Sequence, residues 1–203
     1  MNYTVRKGLG SILGNLTRQM LLTQWPSVRP IGYAVGDKST VISAGSNVVE
    51  DMIELSSSIS SLRYRSNMEM GDIRCVEFEA PVIKAGDLSQ NGIEVIGNLD
   101  KEILHFVGSP LVLKVYFRCG YGSFSTYENR RFLEKESLFE NNVITINSRH
   151  CDVSDISFSV EPLNEDYETL SISLSDSLGR DEHSMVKESF NILFDQIENS
   201  VLI

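Results

Sequence analysis

Gly8-Leu9-Gly10-Ser11-Ile12-Leu13-Gly14-Asn15-Leu16-Thr17-Arg18-Gln19-Met20-Leu21-Leu22-Thr23-Gln24 is the stretch whose reading decides the fold. It predicts a helix stopped by Trp25-Pro26, because proline disfavours helical geometry in the residue before it. Leu9, Ile12, Leu13, Leu16 and Met20 recur at helical steps, as one buried face demands. Away from that face lies a second stripe, Gly10, Gly14, Thr17 and Leu21. Glycine costs about 1 kcal/mol against alanine inside a helix, so tolerating two implies a gain in packing. Small residues at these steps let another backbone come close. The stripe therefore reads as a helix–helix contact, with a second copy of the chain as candidate partner.

Outward from this helix the pattern changes. Residues 27–152 are mostly short strands and loops. Val48 to Ile59 has helical character, with Glu50 and Asp51 in an opening turn that suits the helix dipole, and serines 56–58 obscure its end. Ile73 to Ala80 alternates, with Val76 and Phe78 on one face and Cys75, Glu77 and Glu79 on the other. Leu111 to Arg118 is a second strand, and Tyr127 to Asn142 reads as an exposed polar connection. Two cleaner strands follow, carrying Ile156, Phe158 and Val160, then Leu170, Ile172 and Leu174, as in an antiparallel sheet with one packed face. Past Gly179, Asp181 is a plausible N-cap for a last helix. Its apolar stripe is Val186, Phe190, Leu193, Ile197 and Val201, widened by Met185 and Phe194. The layout predicted is α+β. A discontinuous domain (1–26 plus 153–203) puts two helices on an antiparallel sheet, and 27–152 form a mainly β insertion.

Bulk properties narrow the function. With 203 residues the chain can bury a core unaided, and its 41% hydrophobic content is that of an ordinary globular protein. No apolar run approaches the roughly 20 residues a membrane helix needs, and the first residues resemble neither a secretory signal nor a transit peptide. A net charge of −10 with basic residues scattered in ones and twos leaves no stripe for phosphate contacts. Direct DNA binding is not expected. The three cysteines, Cys75, Cys119 and Cys151, are far apart and fit neither a disulfide framework nor a zinc site.

Catalytic patterns are missing too. Gly8 to Gly14 lacks the Gly-Lys-Ser/Thr ending of a phosphate loop, and Leu13 stands where a dinucleotide fingerprint needs glycine. His150-Cys151-Asp152 would alternate faces in an extended segment, which favours a satisfied histidine over a metal cluster. His105, His150 and His183 fall on separate elements. No magnesium-holding acidic set and no Gly-x-Ser-x-Gly occurs. The expectation is no catalytic residue, no metal and no cofactor in this chain.

The first helix resembles the opening helix of RNA polymerase α subunits, through Gly8, Gly10, Leu13, Gly14, Asn15, Arg18, Leu21 and Leu22. Further segments resemble the family in the same order: Val49 to Leu55, Ala85-Gly86-Asp87-Leu88, Gly120-Tyr121, Phe158 to Pro162, then Asp166 to Leu174 and the terminal helix. Gln19 and Cys119 depart from it, standing where arginine is usual.

The resemblance implies a non-catalytic assembly subunit of a DNA-directed RNA polymerase, a nucleotidyltransferase complex acting in transcription. It implies a homodimer, or a pair with a similar α-type subunit, made through the first and last helices at Gly10, Gly14, Thr17, Leu21, Phe190 and Phe194. The dimer would hold the two large catalytic subunits. Asn15, Arg18, Gln19 and Leu22 would contact a large subunit, with Glu50, Asp51, Ala85, Gly86 and Asp87 contributing from the insertion. It also implies a chain lacking the family's C-terminal DNA-binding domain; that reduction, with scarce alanine and no targeting signal, leans toward a plastid (chloroplast) stroma, with a bacterial cytoplasm as alternative. Competing readings are a paralogous nuclear or archaeal assembly subunit, an unrelated β-rich binding module, and, least favoured, a small hydrolase or transferase.

Overall fold

The computed structural model describes residues 1–36, 48–176 and 178–200. The chain divides into two compact units, one of Met1–Trp25 with Cys151–Ile203 and one of Pro26–His150.

In the first unit, strands β1 (Asn2–Arg6), β12 (Val153–Pro162) and β13 (Tyr167–Asp176) form an antiparallel sheet in the order β1-β13-β12. The β12–β13 hairpin turns at Asn164, whose side-chain oxygen accepts the Asp166 and Tyr167 N–H groups at 3.0 and 2.9 Å, a local bond that fixes the turn. Its register pairs Ile156 with Leu174, Phe158 with Ile172 and Val160 with Leu170. Directly opposed residues of antiparallel strands share a face, so both alternating sets line one apolar surface. Helices α1 (Gly10–Thr23) and α4 (Glu182–Ser200) pack there. Asp181 caps α4 by accepting the Ser184 N–H at 2.8 Å. Leu9, at the N-cap of α1, has no side-chain cap to offer. Glu168 of β13 fills the role from across the sheet, accepting the N–H groups of Gly8 at 3.1 Å and Gly10 at 2.6 Å.

Arg180 locks the turn between β13 and α4. Its Nη2 and Nε donate to the two oxygens of Asp176 at 2.6 and 3.1 Å, its Nη2 lies 3.7 Å from Asp152, and its guanidinium carbon sits 5.5 Å from the Trp25 ring centroid. Burial alone would raise the Asp176 carboxyl; the bonds from Arg180 outweigh it and hold it below the usual range. Replacing Arg180 with alanine takes the guanidinium away from two side chains only 1% exposed, while the residue-180 backbone N–H at 2.8 Å stays on Asp176. We expect a loss of about 2–3 kcal/mol at pH 7, under the roughly 3–5 of a fully buried pair because Arg180 itself reaches solvent. A carboxyl with a depressed folded pKa contributes stability above its unfolded pKa and loses it as pH falls through the folded one. Urea titrations of wild type and Arg180→Ala should therefore converge toward acid. A gap that stays constant down to pH 2 would contradict this account.

The second unit is built on a four-stranded antiparallel sheet of β2 (Ser27–Val35), β4 (Ile73–Glu79), β8 (Val112–Gly120) and β10 (Ile144–Thr145), in the order β10-β2-β8-β4. One face carries Val76, Leu113, Val115 and Phe117 into a core shared with helix α2 (Met52–Ser61), strand β3 (Arg63–Ser66) and strand β6 (Ile93–Ile96), which pair with each other. Strands β5 (Val82–Lys84) and β7 (Glu102–His105) form another short ladder. The serines at 56–58 do not end α2, which is capped by Asp51 through the Glu54 N–H at 2.7 Å and runs on to Ser61.

The opposite face, with Ile31, Ala34 and Tyr116, packs with α3 (Thr126–Lys135). This corrects the reading of 127–142 as a plain connection. Ser125 and Glu128 form a capping box, and Leu133 is buried beneath a charged outer surface. Buried Asn129 donates to the Ile146 carbonyl at 2.7 Å and the Ser148 hydroxyl at 3.0 Å. Strands β9 (Gly122–Phe124) and β11 (Ser148–His150) pair beside it.

Candidate functional site

Of the face expected to be buried, Met20 is buried and Leu13 half-buried, but the rest of it and the small-residue stripe exchange places. Gly10, Gly14, Thr17 and Leu21 are buried, whereas Leu9, Ile12 and Leu16 are 43, 55 and 36% exposed. A Cβ on Gly14 would stand 2.4 Å from a Phe158 ring carbon, and one on Gly10 would stand 2.8 Å from Val160. The close approach that these glycines permit is thus made to β12 of the same chain. The expected glycine contact with a second copy is corrected accordingly. Bulky side chains on the sheet need small residues above them, and Leu9, Ile12 and Leu16 turn outward.

Helix α4 repeats the pattern. Met185 and Val186 are buried and Phe190 is half-buried in the same core, but Phe194 and Ile197 are 60 and 50% exposed. Val201 lies outside the described residues. The unit therefore presents large apolar side chains on both helices, Ile12 and Leu16 on one and Phe194 and Ile197 on the other. Exposed apolar groups of this size mark candidate association surfaces.

Asn15, Arg18 and Gln19 are exposed and Leu22 half-buried, at steps that line one edge of α1. Asn15 donates to the Ser11 carbonyl at 2.9 Å, one turn back. The insertion residues have local partners. Asp51 caps α2, and Glu50 accepts the His105 backbone N–H at 2.8 Å and bonds its ring Nδ1. Burial would raise the Glu50 carboxyl, and those bonds together bring it below its ordinary value. Ala85, Gly86 and Asp87 begin a single 3-10 turn, Ala85–Leu88. Ala85 is fully buried in the core, so its side chain is not available to a partner. Asp87 is occupied with the Lys84 N–H at 2.8 Å, and Gly86 lies against Leu99.

His150 is a satisfied core histidine. Its Nδ1 donates to the Ser27 carbonyl at 2.8 Å, its Nε2 accepts from Ser148 at 3.2 Å, and burial pushes its pKa down to about 4. Among the described residues no group of three His, Cys, Asp or Glu side chains could hold a metal ion, and no helix is long and apolar enough to cross a membrane. Two functional-looking groups escaped sequence reasoning, Glu168 as the cap of α1 and His105 as the partner of Glu50. Both act across long sequence separations that no local pattern records.

The chain is similar to α subunits of DNA-directed RNA polymerase. It is 29% identical over 174 residues to DNA-directed RNA polymerase subunit alpha of Mycoplasmopsis pulmonis, covering 79% of this chain and 52% of that protein. The subunits of Mycoplasma mobile and Chlorobium phaeobacteroides are 22 and 28% identical, covering 79 and 77% of this chain and 52 and 47% of theirs. The chain spans about half the length of the curated relatives it matches. No protein-family model matches it.

Proposed function

We infer that this chain is a non-catalytic α-type subunit of a DNA-directed RNA polymerase, which dimerises and holds the two large catalytic subunits. The observation that carries the reading is the ordered similarity to bacterial α subunits over about four-fifths of the chain. The exposed apolar residues of α1 and α4 supply a surface that a second copy, or a similar α-type subunit, would cover. The partner's helix faces Ile12 and Leu16 rather than Gly10 and Gly14. In this reading the discontinuous unit is the dimerisation domain and Pro26–His150 is the inserted unit that meets a large subunit. The relatives are bacterial, which supports a bacterial type of polymerase and setting over a plastid one.

On α1, Asn15, Arg18, Gln19 and Leu22 are proposed to meet a large subunit, and on the insertion Glu50, Asp51, Gly86 and Asp87 through what they leave exposed. Arg18 is the one cation of that helix edge. Arginine is enriched among residues whose truncation costs an interface 2 kcal/mol or more, so Arg18→Ala should weaken capture of a large subunit by about tenfold or more while the chain stays dimeric. Purification of the tagged chain from its native source should bring down two polypeptides several times its size. Recovery of the chain alone, or capture indifferent to Arg18→Ala, would refute the assembly role or the docking site respectively.

A further inference from the structure

His105, the last residue of β7, has a carboxylate at each ring nitrogen. Nδ1 meets Glu50, which precedes α2, and Nε2 lies 3.0 Å from Glu102 of the same strand. The second oxygen of Glu50 takes the His105 backbone N–H at 2.8 Å, so one carboxylate grips ring and main chain together. Val49 N–H donates to the His105 carbonyl at 3.0 Å, and Val48 bridges to Phe106. Residues 48–50 are thereby laid along β7, and the next residue, Asp51, caps α2.

A neutral imidazole has a single N–H, and its other nitrogen carries a lone pair. Between two ionised carboxylates, a neutral ring would set that lone pair against an oxygen. Only the doubly protonated ring donates on both sides. The surrounding charges do not change this. Lys84 of β5 stands opposite Glu102 but reaches Asp100 at 3.6 Å, and Lys101 donates to Ser61 at 3.1 Å. Asp51 and Glu54, at the start of α2, are occupied with the cap or exposed, and any effect of theirs also favours the cation.

We propose that His105 is a protonation-dependent clamp which fastens residues 48–51, and with them the entry to α2, onto β7. The clamp belongs to the folded chain itself and does not rest on the polymerase reading. The hydrogen bond that the His105 ring donates to Glu50, against a smaller opposing effect of burial, raises the His105 pKa. A group with a raised folded pKa contributes stability that is complete below its unfolded pKa and is lost as pH rises through the folded one. The clamp is therefore closed below the folded His105 pKa and opens as pH rises through it.

The test is an NMR titration of the His105 ring in the full chain beside a free histidine-containing peptide, with amide exchange followed over the same pH range. The His105 midpoint should lie above the peptide's, and Glu50→Gln should return it further than Glu102→Gln. Protection factors of the Val49 and His105 amides should fall selectively through that midpoint, with Val115 of β8 as internal reference. In His105→Gln the Val49 amide should be less protected than in wild type below the wild-type midpoint, and its protection should no longer change through it. Should Glu50→Gln fail to fold, the exposed Glu102→Gln and the wild-type exchange profile still decide. A midpoint at or below the peptide's, or Val49 protection unchanged across it, overturns the proposal.

Discussion

Substituting leucine for Gly14 is expected to destabilise the unit containing α1 by about 2–3 kcal/mol, the upper part of the range for overpacking a close contact. The mechanism is steric and local. A Cβ alone would stand 2.4 and 2.7 Å from ring atoms of Phe158, well inside contact distance. Phe158 cannot swing away freely, because β12 is held to β13 on both sides of it by the Ile156–Leu174 and Val160–Leu170 pairs. Relief requires α1 to lift, which exposes Leu21 and Thr17, both fully buried. The intrinsic gain of replacing a helical glycine, up to about 1 kcal/mol, offsets only part of this. Urea unfolding gives the measurement, and a double-mutant cycle with Phe158→Ala gives the cause. In the Phe158→Ala background the penalty should largely vanish. A Gly14→Leu protein as stable as wild type would mean that the helix does not sit on β12 as described.

The second large effect falls on association and leaves the fold intact. Ile12→Glu combined with Leu16→Glu places two like charges on the outer side of α1, where the native residues are 55 and 36% exposed. Surface substitutions away from packed features change stability by about 0.5 kcal/mol or less, so the monomer should survive. If this face meets a second copy, two buried carboxylates per helix would have no partners, and truncation-scale losses of 2 kcal/mol or more apply at each central position. Dimer dissociation should strengthen by at least about 30-fold, visible by sedimentation as a monomer at concentrations where the parent chain pairs. Phe194→Glu on α4 should act in the same direction. A double variant that pairs like the parent would remove α1 from the dimer interface and leave the Gly14→Leu argument untouched. The two experiments thus separate the inner side of the helix from the outer.

How much was legible depended on the range of the interaction. The existence of α1, its stop at Trp25-Pro26 and the Asp181 cap of α4 follow from spacing and short-range chemistry. So do the alternating faces of β12 and β13. The helix at 126–135 was missed because its outer face is densely charged and its buried contribution is small, chiefly Leu133 and Asn129. Its local signal was nonetheless present, since Ser125 and Glu128 have the spacing of a capping box. The resemblance in sequence places Ala85 on a docking surface, but resemblance carries no information on burial, and Ala85 is buried.

The sequence alone determined that residues near 10–23 form an amphipathic helix with one small-residue side and one large aliphatic side, that two alternating strands precede the last helix, and that the chain resembles polymerase α subunits. Only the tertiary structure decided which side of α1 faces inward. Both stripes are apolar and both recur at helical steps, so periodicity is blind to the choice. Sterics settle it: Phe158 and Val160 fill the space above β12, and glycine is the residue that leaves room for them. For the same reason the pairing of Glu168 with the start of α1, and of Glu50 with His105, became visible only once strands remote in the chain were brought side by side.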